Sequence, residues 1–137
     1  MQDFYLTRVH TLEYMARLSR IDSGDATTLY LPHGMTTDEV ESRIRACGRP
    51  IPAGLVEVAQ SSLTGFCLFS GPGPVLVFPP FPIQESVAFE GHATAPLEEM
   101  LREEKMIAIV LVRLGAYGLG VCRGERLVTS KVGTGLV

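Results

Sequence analysis

The last quarter of the chain contains three largely apolar runs that alternate with two short turns. The runs are 106–113, 116–123 and 126–132, and the turns are Leu114-Gly115 and Gly124-Glu125. Turns as short as these join antiparallel strands, because parallel strands need a much longer crossover connection. The pattern therefore predicts a three-stranded antiparallel meander.

The residues before the meander alternate between helical and strand-like segments. Apolar residues at three- and four-residue steps predict helices, and short β-branched or apolar runs predict strands. The segment Gly71-Pro72-Gly73-Pro74 joins two apolar runs and predicts a hairpin near a sheet edge, because proline cannot donate to a strand ladder. We expect helices over 4–18, 36–47, 55–63 and 94–105, and strands over 27–31, 66–69, 75–78 and 86–89.

A run of prolines interrupts this order. Three of the four residues in Pro79-Pro80-Phe81-Pro82 are proline, and each fixes its own backbone and keeps the preceding residue out of the helical region. We therefore predict an extended linker with a domain boundary near Gln84. The expected fold class is α/β (α+β). Residues 1–83 form a small N-terminal α/β domain with a β-hairpin, and residues 84–137 form an incomplete second domain of strand, helix and meander.

Composition excludes several classes of protein. The chain has 137 residues, of which 46% are hydrophobic and 20% charged, so it is not an intrinsically disordered chain. A net charge of −3 excludes a strongly basic nucleic-acid binder and leaves a local basic face open. The N-terminus lacks a signal-peptide core, and the apolar run from Met106 to Val112 is far shorter than the ~20 residues of a membrane span. We therefore expect a cytoplasmic protein.

The reactive side chains form no familiar catalytic or metal-binding motif. Cys47, Cys67 and Cys122 lie 20 and 55 residues apart, without the spacing of a zinc site. A triad of Cys122, His92 and a glutamate is disfavoured, because Cys122 lies inside an apolar run rather than an electropositive niche. The glycines between 115 and 124 lack the spacing of a dinucleotide fingerprint. We expect no catalytic residue, no metal and no cofactor.

Basic residues are concentrated in the meander. If Arg113, Arg123 and Lys131 share its solvent face, they form a strip that attracts phosphate groups. An ordinary charged outer face of an antiparallel sheet explains these residues equally well. The candidate RNA contacts are Arg113, Arg123, Arg126 and Lys131, which only Glu125 opposes locally.

A further pattern is the order of segments along the whole chain. It consists of Thr28 to Pro32, a hairpin that ends in Phe78-Pro79-Pro80-Phe81-Pro82-Ile83, an acidic helix over 97–105, and the run from Ile107 to Val121. In this order the segments resemble the first half of the eukaryotic and archaeal class-one peptide-chain release factors. The resemblance is closer to their bacterial relatives, the release-factor-like peptidyl-tRNA hydrolases of ribosome quality control. Residues 123–134 resemble the strand that leads into the catalytic loop of that family.

The resemblance implies binding to the large ribosomal subunit and to tRNA, in translation termination or ribosome rescue. In that family a basic, glycine-rich loop carries a Gln that helps water attack the ester of peptidyl-tRNA. This sequence contains no Gly-Gly-Gln, and Gln2, Gln60 and Gln84 lie in other settings. We therefore expect the N-terminal portion of such a protein, without the catalytic loop and inactive by itself.

Two other functions stay open. A stand-alone protein-interaction module would dock a partner through the meander or through the sheet edge around 71–82. Independently of the function, the short second domain is expected to gain burial from the first domain or from a second copy of the chain, as a homodimer. A small cysteine- or serine-dependent enzyme is disfavoured, because its motifs are absent.

Overall fold

The computed structural model of the protein describes residues 2–22 and 24–135. It divides into two compact units, Met1–Met100 and Leu101–Val137. Helices are combined with antiparallel sheets, which confirms the predicted α/β class. The helices are α1 (Arg8–Leu18), α2 (Thr37–Ala46), α3 (Leu55–Gln60) and α4 (Ala95–Arg102). The strands are β1 (Thr27–Leu31), β2 (Phe66–Phe69), β3 (Val75–Val77), β4 (Val87–Glu90), β5 (Met106–Arg113), β6 (Ala116–Arg123) and β7 (Arg126–Thr134).

The first unit is built on a four-stranded antiparallel sheet with the order β3-β2-β1-β4. The hairpin of β2 and β3 places β3 at one edge, where its flanking prolines are tolerated. At the other edge β4 pairs with β1, so that Thr28 lies opposite Phe89. The chain that follows the prolines therefore returns to the first sheet. The first compact unit continues to Met100, whereas the sequence places a domain boundary near Gln84.

The proline segment is held against the first unit by hydrogen bonds. The Thr64 hydroxyl donates to the Pro79 carbonyl at 2.7 Å, and the Ile83 amide donates to the Thr64 carbonyl at 2.9 Å. Ile83 is buried, with 8% of its surface exposed. The prolines thus form a rigid extended segment that is tied to the first unit.

Helices α2 and α3 cover one face of this sheet. Their apolar side chains pack against those of β1 and β2 in one cluster: Leu29, Leu31, Val40, Ile44, Leu55, Val56, Ala59, Phe66 and Leu68. The start of α2 is fixed by a capping box, in which the Thr36 hydroxyl accepts from the Glu39 amide and the Glu39 carboxylate accepts from the Thr36 amide.

The opposite face of the sheet centres on Tyr30. Its ring makes edge-to-face contacts with Phe69 and Phe89, and its hydroxyl donates to the Ala93 carbonyl at 2.6 Å. His92 joins the same layer through an edge contact with Phe69 and a 3.2 Å hydrogen bond between its Nδ1 and the Leu18 carbonyl. That bond brings the end of α1 to this face.

The first helix is shorter than its apolar periodicity predicts. Phe4 and Leu6 are 70% and 50% exposed and precede α1, which begins at Arg8. Thr7 sets this start, because its hydroxyl accepts from the His10 amide as an N-cap.

The second unit contains the antiparallel sheet β5-β6-β7, as the turn spacing predicts. Gly115 and Gly124 have φ values of 78° and 55°, a left-handed backbone that glycine adopts without a steric penalty. Between β6 and β7 the register shifts, so that Cys122 pairs with Leu127 while Val121 pairs with Thr129. Val128 is therefore an extra residue, which makes a β-bulge in β7.

Candidate nucleic-acid interface

The register of the meander assigns each candidate cation to a face. Paired residues of an antiparallel sheet share a face, and successive residues alternate between faces. Arg123 pairs with Arg126, and Lys131 pairs with Leu119, which lies four residues before Arg123 on β6. Arg123, Arg126 and Lys131 therefore lie on one face, which we call the basic face.

The bulge in β7 is what brings two of these cations together. Arg126 and Lys131 are five positions apart, and strict alternation would place them on opposite faces of the sheet. The extra residue, Val128, restores both to the same face. The sequence carries a signal for this bulge, since the adjacent apolar residues Leu127 and Val128 interrupt the alternation.

Arg113 does not belong to the basic face. It pairs with Ala116 at the opposite end of the β5–β6 hairpin, whereas Met106 pairs with Arg123. The two pairs are seven residue steps apart on β5, which corresponds to about 23 Å along the strand. Met106 lies on the same face as its partner Arg123, and Arg113 is an odd number of positions from Met106 on β5. Arg113 therefore lies on the other face of the sheet. This corrects the expectation that Arg113, Arg123 and Lys131 form one strip.

The basic face concentrates positive charge at one end. Arg123 and Arg126 are exposed and lie directly opposite each other, an arrangement that destabilises a sheet unless an anion relieves the repulsion. The Arg123 Nε donates only to the Met106 thioether sulfur, at 3.4 Å. Within residues 2–22 and 24–135, neither arginine forms an ion pair with a carboxylate. These two guanidinium groups are therefore open to an external anion.

Acidic residues border this cluster and limit its charge. Glu125 lies in the turn between the two arginines, and the Glu104 side chain lies beside Gly124. Lys131 is about 13 Å from Arg123 along the strand direction, because its partner Leu119 is four residue steps from Arg123 on β6. The face therefore suits an extended polyanion better than a single small anion.

An aromatic residue shares the basic face and was not singled out from the sequence. Tyr117 pairs with Gly133, and its ring occupies the space that a Cβ at Gly133 would need. Gly133 thus lets the Tyr117 ring lie flat on the sheet on the same side as Lys131. A ring held in this way beside cations is a surface on which a nucleic-acid base stacks.

The reactive side chains of the first unit serve the fold. The His33 Nδ1 is 2.8 Å from the Ser62 carbonyl, and the His92 Nδ1 binds the Leu18 carbonyl. Burial raises the pKa of the Cys67 thiol to about 12, so this thiol is protonated and unreactive at neutral pH. In the part of the chain that the structure describes, no group of three or more His, Cys, Asp or Glu residues is arranged to hold a metal. Among the same residues, every helix falls short of the length and hydrophobicity of a transmembrane span.

Comparison with solved structures adds a fold-level relationship. An archaeal protein covers 98% of this chain with a TM-score of 0.54 and 18% sequence identity. The crystal structure of the archaeal translation termination factor aRF1 covers 95% of it with a TM-score of 0.50 and 20% identity. The likeness is one of fold.

The relationship is limited in extent. This chain spans 47% of the archaeal protein and 44% of aRF1, so it corresponds to less than half of either molecule. No protein-family model matches the sequence, and a search of curated proteins finds no match. These comparisons therefore show a fold shared with part of two larger proteins.

Proposed function

We propose that this chain is the N-terminal portion of a release-factor-like protein that binds the large ribosomal subunit and peptidyl-tRNA in the cytoplasm. It acts in translation termination or in ribosome rescue and quality control. Residues 84–137 supply the first part of the middle domain of such a protein. The described residues contribute binding, and peptide release requires a glutamine loop that the sequence does not contain.

The observation that carries this proposal is the likeness to aRF1 along 95% of the chain. A fold by itself does not define a function, so the proposal also needs a suitable site. The basic face offers one, because Arg123 and Arg126 are exposed without a carboxylate partner in the described residues. Phosphate contacts of this kind give affinity without sequence preference.

The first experiment measures binding to purified large ribosomal subunits and to tRNA as a function of salt concentration. The double variant Arg123→Ala/Arg126→Ala removes two phosphate contacts and should lower the slope of log K against log[salt] by about 1.5. Because the net charge of the whole chain is −3, we expect weak binding, with a Kd in the micromolar range or above.

Arg113→Ala is the matched control for this experiment. It removes the same charge from the same sheet, at the other end and on the other face. Its salt slope should equal that of the wild type. Equal slopes for all three proteins would mean that the basic face is only a solvated surface, and the RNA-binding proposal would then be abandoned.

Peptide release is tested separately on stalled large subunits that carry peptidyl-tRNA. The chain alone should release no peptide above the buffer rate, because none of its glutamines lies in a glycine-rich loop. Release above that rate would contradict the inactive assignment without affecting the binding proposal.

The exposed meander favours a second function, a protein-interaction module that includes self-association. Val110 on the basic face and Leu111 on the opposite face are 63% and 68% exposed. Apolar surface on both faces of a sheet is typical of a protein that binds a partner. Sedimentation velocity in the absence of RNA tests this second function, because a module of this kind associates without nucleic acid. The salt-dependence experiment tests RNA binding separately.

A further inference from the structure

The first unit contains a cleft of about 240 Å³ that the proposed function does not use. Its floor consists of core side chains from both sheet and helices, Leu29, Ile44, Leu55 and Leu68. Four prolines lie around it, Pro50, Pro52, Pro72 and Pro74. Because proline has no N–H group and a restricted backbone, this rim is stiff and offers no backbone donor at those positions. The cleft is therefore preformed and largely apolar.

The Ser70 hydroxyl and the Thr27 backbone, on the sheet side of the cleft, already bind each other. The Thr27 amide donates to the Ser70 Oγ at 2.9 Å, and that Oγ donates to the Thr27 carbonyl at 2.8 Å. The Ser70 amide donates to the same carbonyl at 2.8 Å. These groups bind each other, so a ligand gains little from contact with them.

Arg49 supplies the only charged side chain among the residues that line the cleft. Its Nη2 donates to the Asp25 carbonyl at 3.1 Å, which fixes the guanidinium while its other N–H groups stay available. Arg49 is half-buried, and in the described part of the chain it forms no ion pair with a carboxylate. A fixed guanidinium beside an apolar floor is complementary to a carboxylate attached to a hydrocarbon group.

The volume limits the size of that hydrocarbon group. A dry cavity of about 150 Å³ in another protein holds benzene, whereas drug-sized ligands and cofactors occupy roughly 300–1,000 Å³. A cleft of about 240 Å³ is large enough for one ring or a short aliphatic chain and too small for a nucleotide.

We propose that this cleft binds a small apolar carboxylic acid, with its carboxylate on Arg49 and its hydrocarbon group on the floor formed by Leu29, Ile44, Leu55 and Leu68. The proposal does not depend on the proposed function, since no residue of the meander lines the cleft.

The test uses benzoate as the probe and benzamide as its neutral counterpart. Amide chemical shifts of the full chain are followed by NMR during titration with each compound. Benzoate should bind with a Kd on the order of 1 mM, as expected for a ligand of its size, and shift the amides of the cleft. Benzamide should bind roughly tenfold more weakly, because it cannot make the charge-assisted pair with Arg49.

Cys47 gives an independent readout because it lines the cleft. In a Cys122→Ser background, benzoate should slow the alkylation of Cys47 by iodoacetamide in proportion to occupancy. Arg49→Gln should weaken benzoate binding roughly tenfold, and Arg49→Lys should recover most of the loss because it keeps the charge. Arg45→Gln is the matched control, since Arg45 pairs with Glu41 on α2 and does not line the cleft.

Several results would overturn this proposal. Equal affinities for benzoate and benzamide would exclude the role of Arg49. Equal losses of benzoate affinity in Arg49→Gln and Arg45→Gln would exclude it as well. Amide chemical shifts confined to residues outside the cleft would exclude a small free acid as the ligand of the cleft. Binding only of a peptide that ends in leucine would exclude it too. Each of these results leaves the RNA-binding experiment unaffected.

Discussion

At the scale of single residues, burial sets the chemistry of Cys67, and strand register sets the face on which Arg113 lies. Cys67 lies in an apolar run, and its burial, with 0% of its surface exposed, follows from that context. The face on which a residue lies is harder to predict. Arg113 and Arg123 are ten positions apart, yet they lie on opposite faces because the two-residue turn at Leu114-Gly115 changes the parity between β5 and β6. The face on which a residue lies therefore depends on the register, which is a property of paired strands.

The Cys67 thiol makes stability depend on pH in the alkaline range. Its pKa rises from 9.0 in the unfolded chain to about 12 in the fold, because burial penalises the thiolate. The stabilising contribution is fully present below pH 9 and declines as pH rises towards 12, since only the unfolded state loses the proton. Between those limits the free energy of unfolding should fall by up to about 1.4 kcal/mol per pH unit from this group.

Urea unfolding at pH 8 and pH 10 measures that decline. Cys67→Ala should show a smaller decrease between the two pH values than the wild type. Val56→Ala, a buried substitution without a titrating group, should keep the decrease of the wild type. A Cys67→Ala protein that loses as much stability as the wild type would show that other groups cause the alkaline decline.

At the scale of elements, the capping and turn signals give the type and order of every helix and strand. The α2 boundary is predicted best, because Thr36 and Glu39 form the complete capping box that their spacing suggests. The α1 boundary is predicted less well, because apolar periodicity continues through Phe4 and Leu6 although Thr7 caps the helix. The bulge at Val128 shows the same limit, since an element is located by its composition while its register depends on a partner strand.

The capping box of α2 makes a measurable contribution to stability. Thr36→Ala removes the side-chain acceptor of the Glu39 amide and should lower the free energy of unfolding by about 1 kcal/mol. Hydrogen bonds from the Thr36 amide and hydroxyl lower the pKa of Glu39, so the box is intact above pH 4.5 and weakens as pH falls below that value. Ser42→Ala, on the exposed side of the same helix, should change stability by less than about 0.5 kcal/mol. Urea unfolding at pH 7 would contradict this prediction if both variants lost the same amount.

At the scale of the whole molecule, the pairing of strands that are distant in the sequence cannot be predicted from local signals. The prolines at 79–82 have the expected rigidity, but the pairing of β4 with β1 takes the chain back to the first sheet. Residues 27 and 90 meet in that pairing, and no local signal specifies it. The fold class is predicted from local signals, whereas the division at Met100 follows from which strands share a sheet.

The second unit combines small size with exposed apolar surface, and this combination predicts association. It spans residues 101 to 137, which is 37 residues, and units below about 40 residues usually need a crosslink, a metal or a partner to be stable. Within residues 101–135, the outer strands β5 and β7 each pair on one side only, which leaves two long sheet edges without a strand partner. We expect sedimentation velocity to show a mass that rises with protein concentration.

Val110→Lys and Leu111→Lys place a charge on opposite faces of β5, and each should reduce that rise. Leu63→Lys is the control, because Leu63 is 80% exposed in the first unit and a charge there should leave association unchanged. If Leu63→Lys reduced association as much as the two β5 variants, the meander would not be the contact surface. If the wild type and the three variants stayed monomeric at every concentration, the predicted association would be wrong. A unit this small would then keep its exposed sheet in water without a partner.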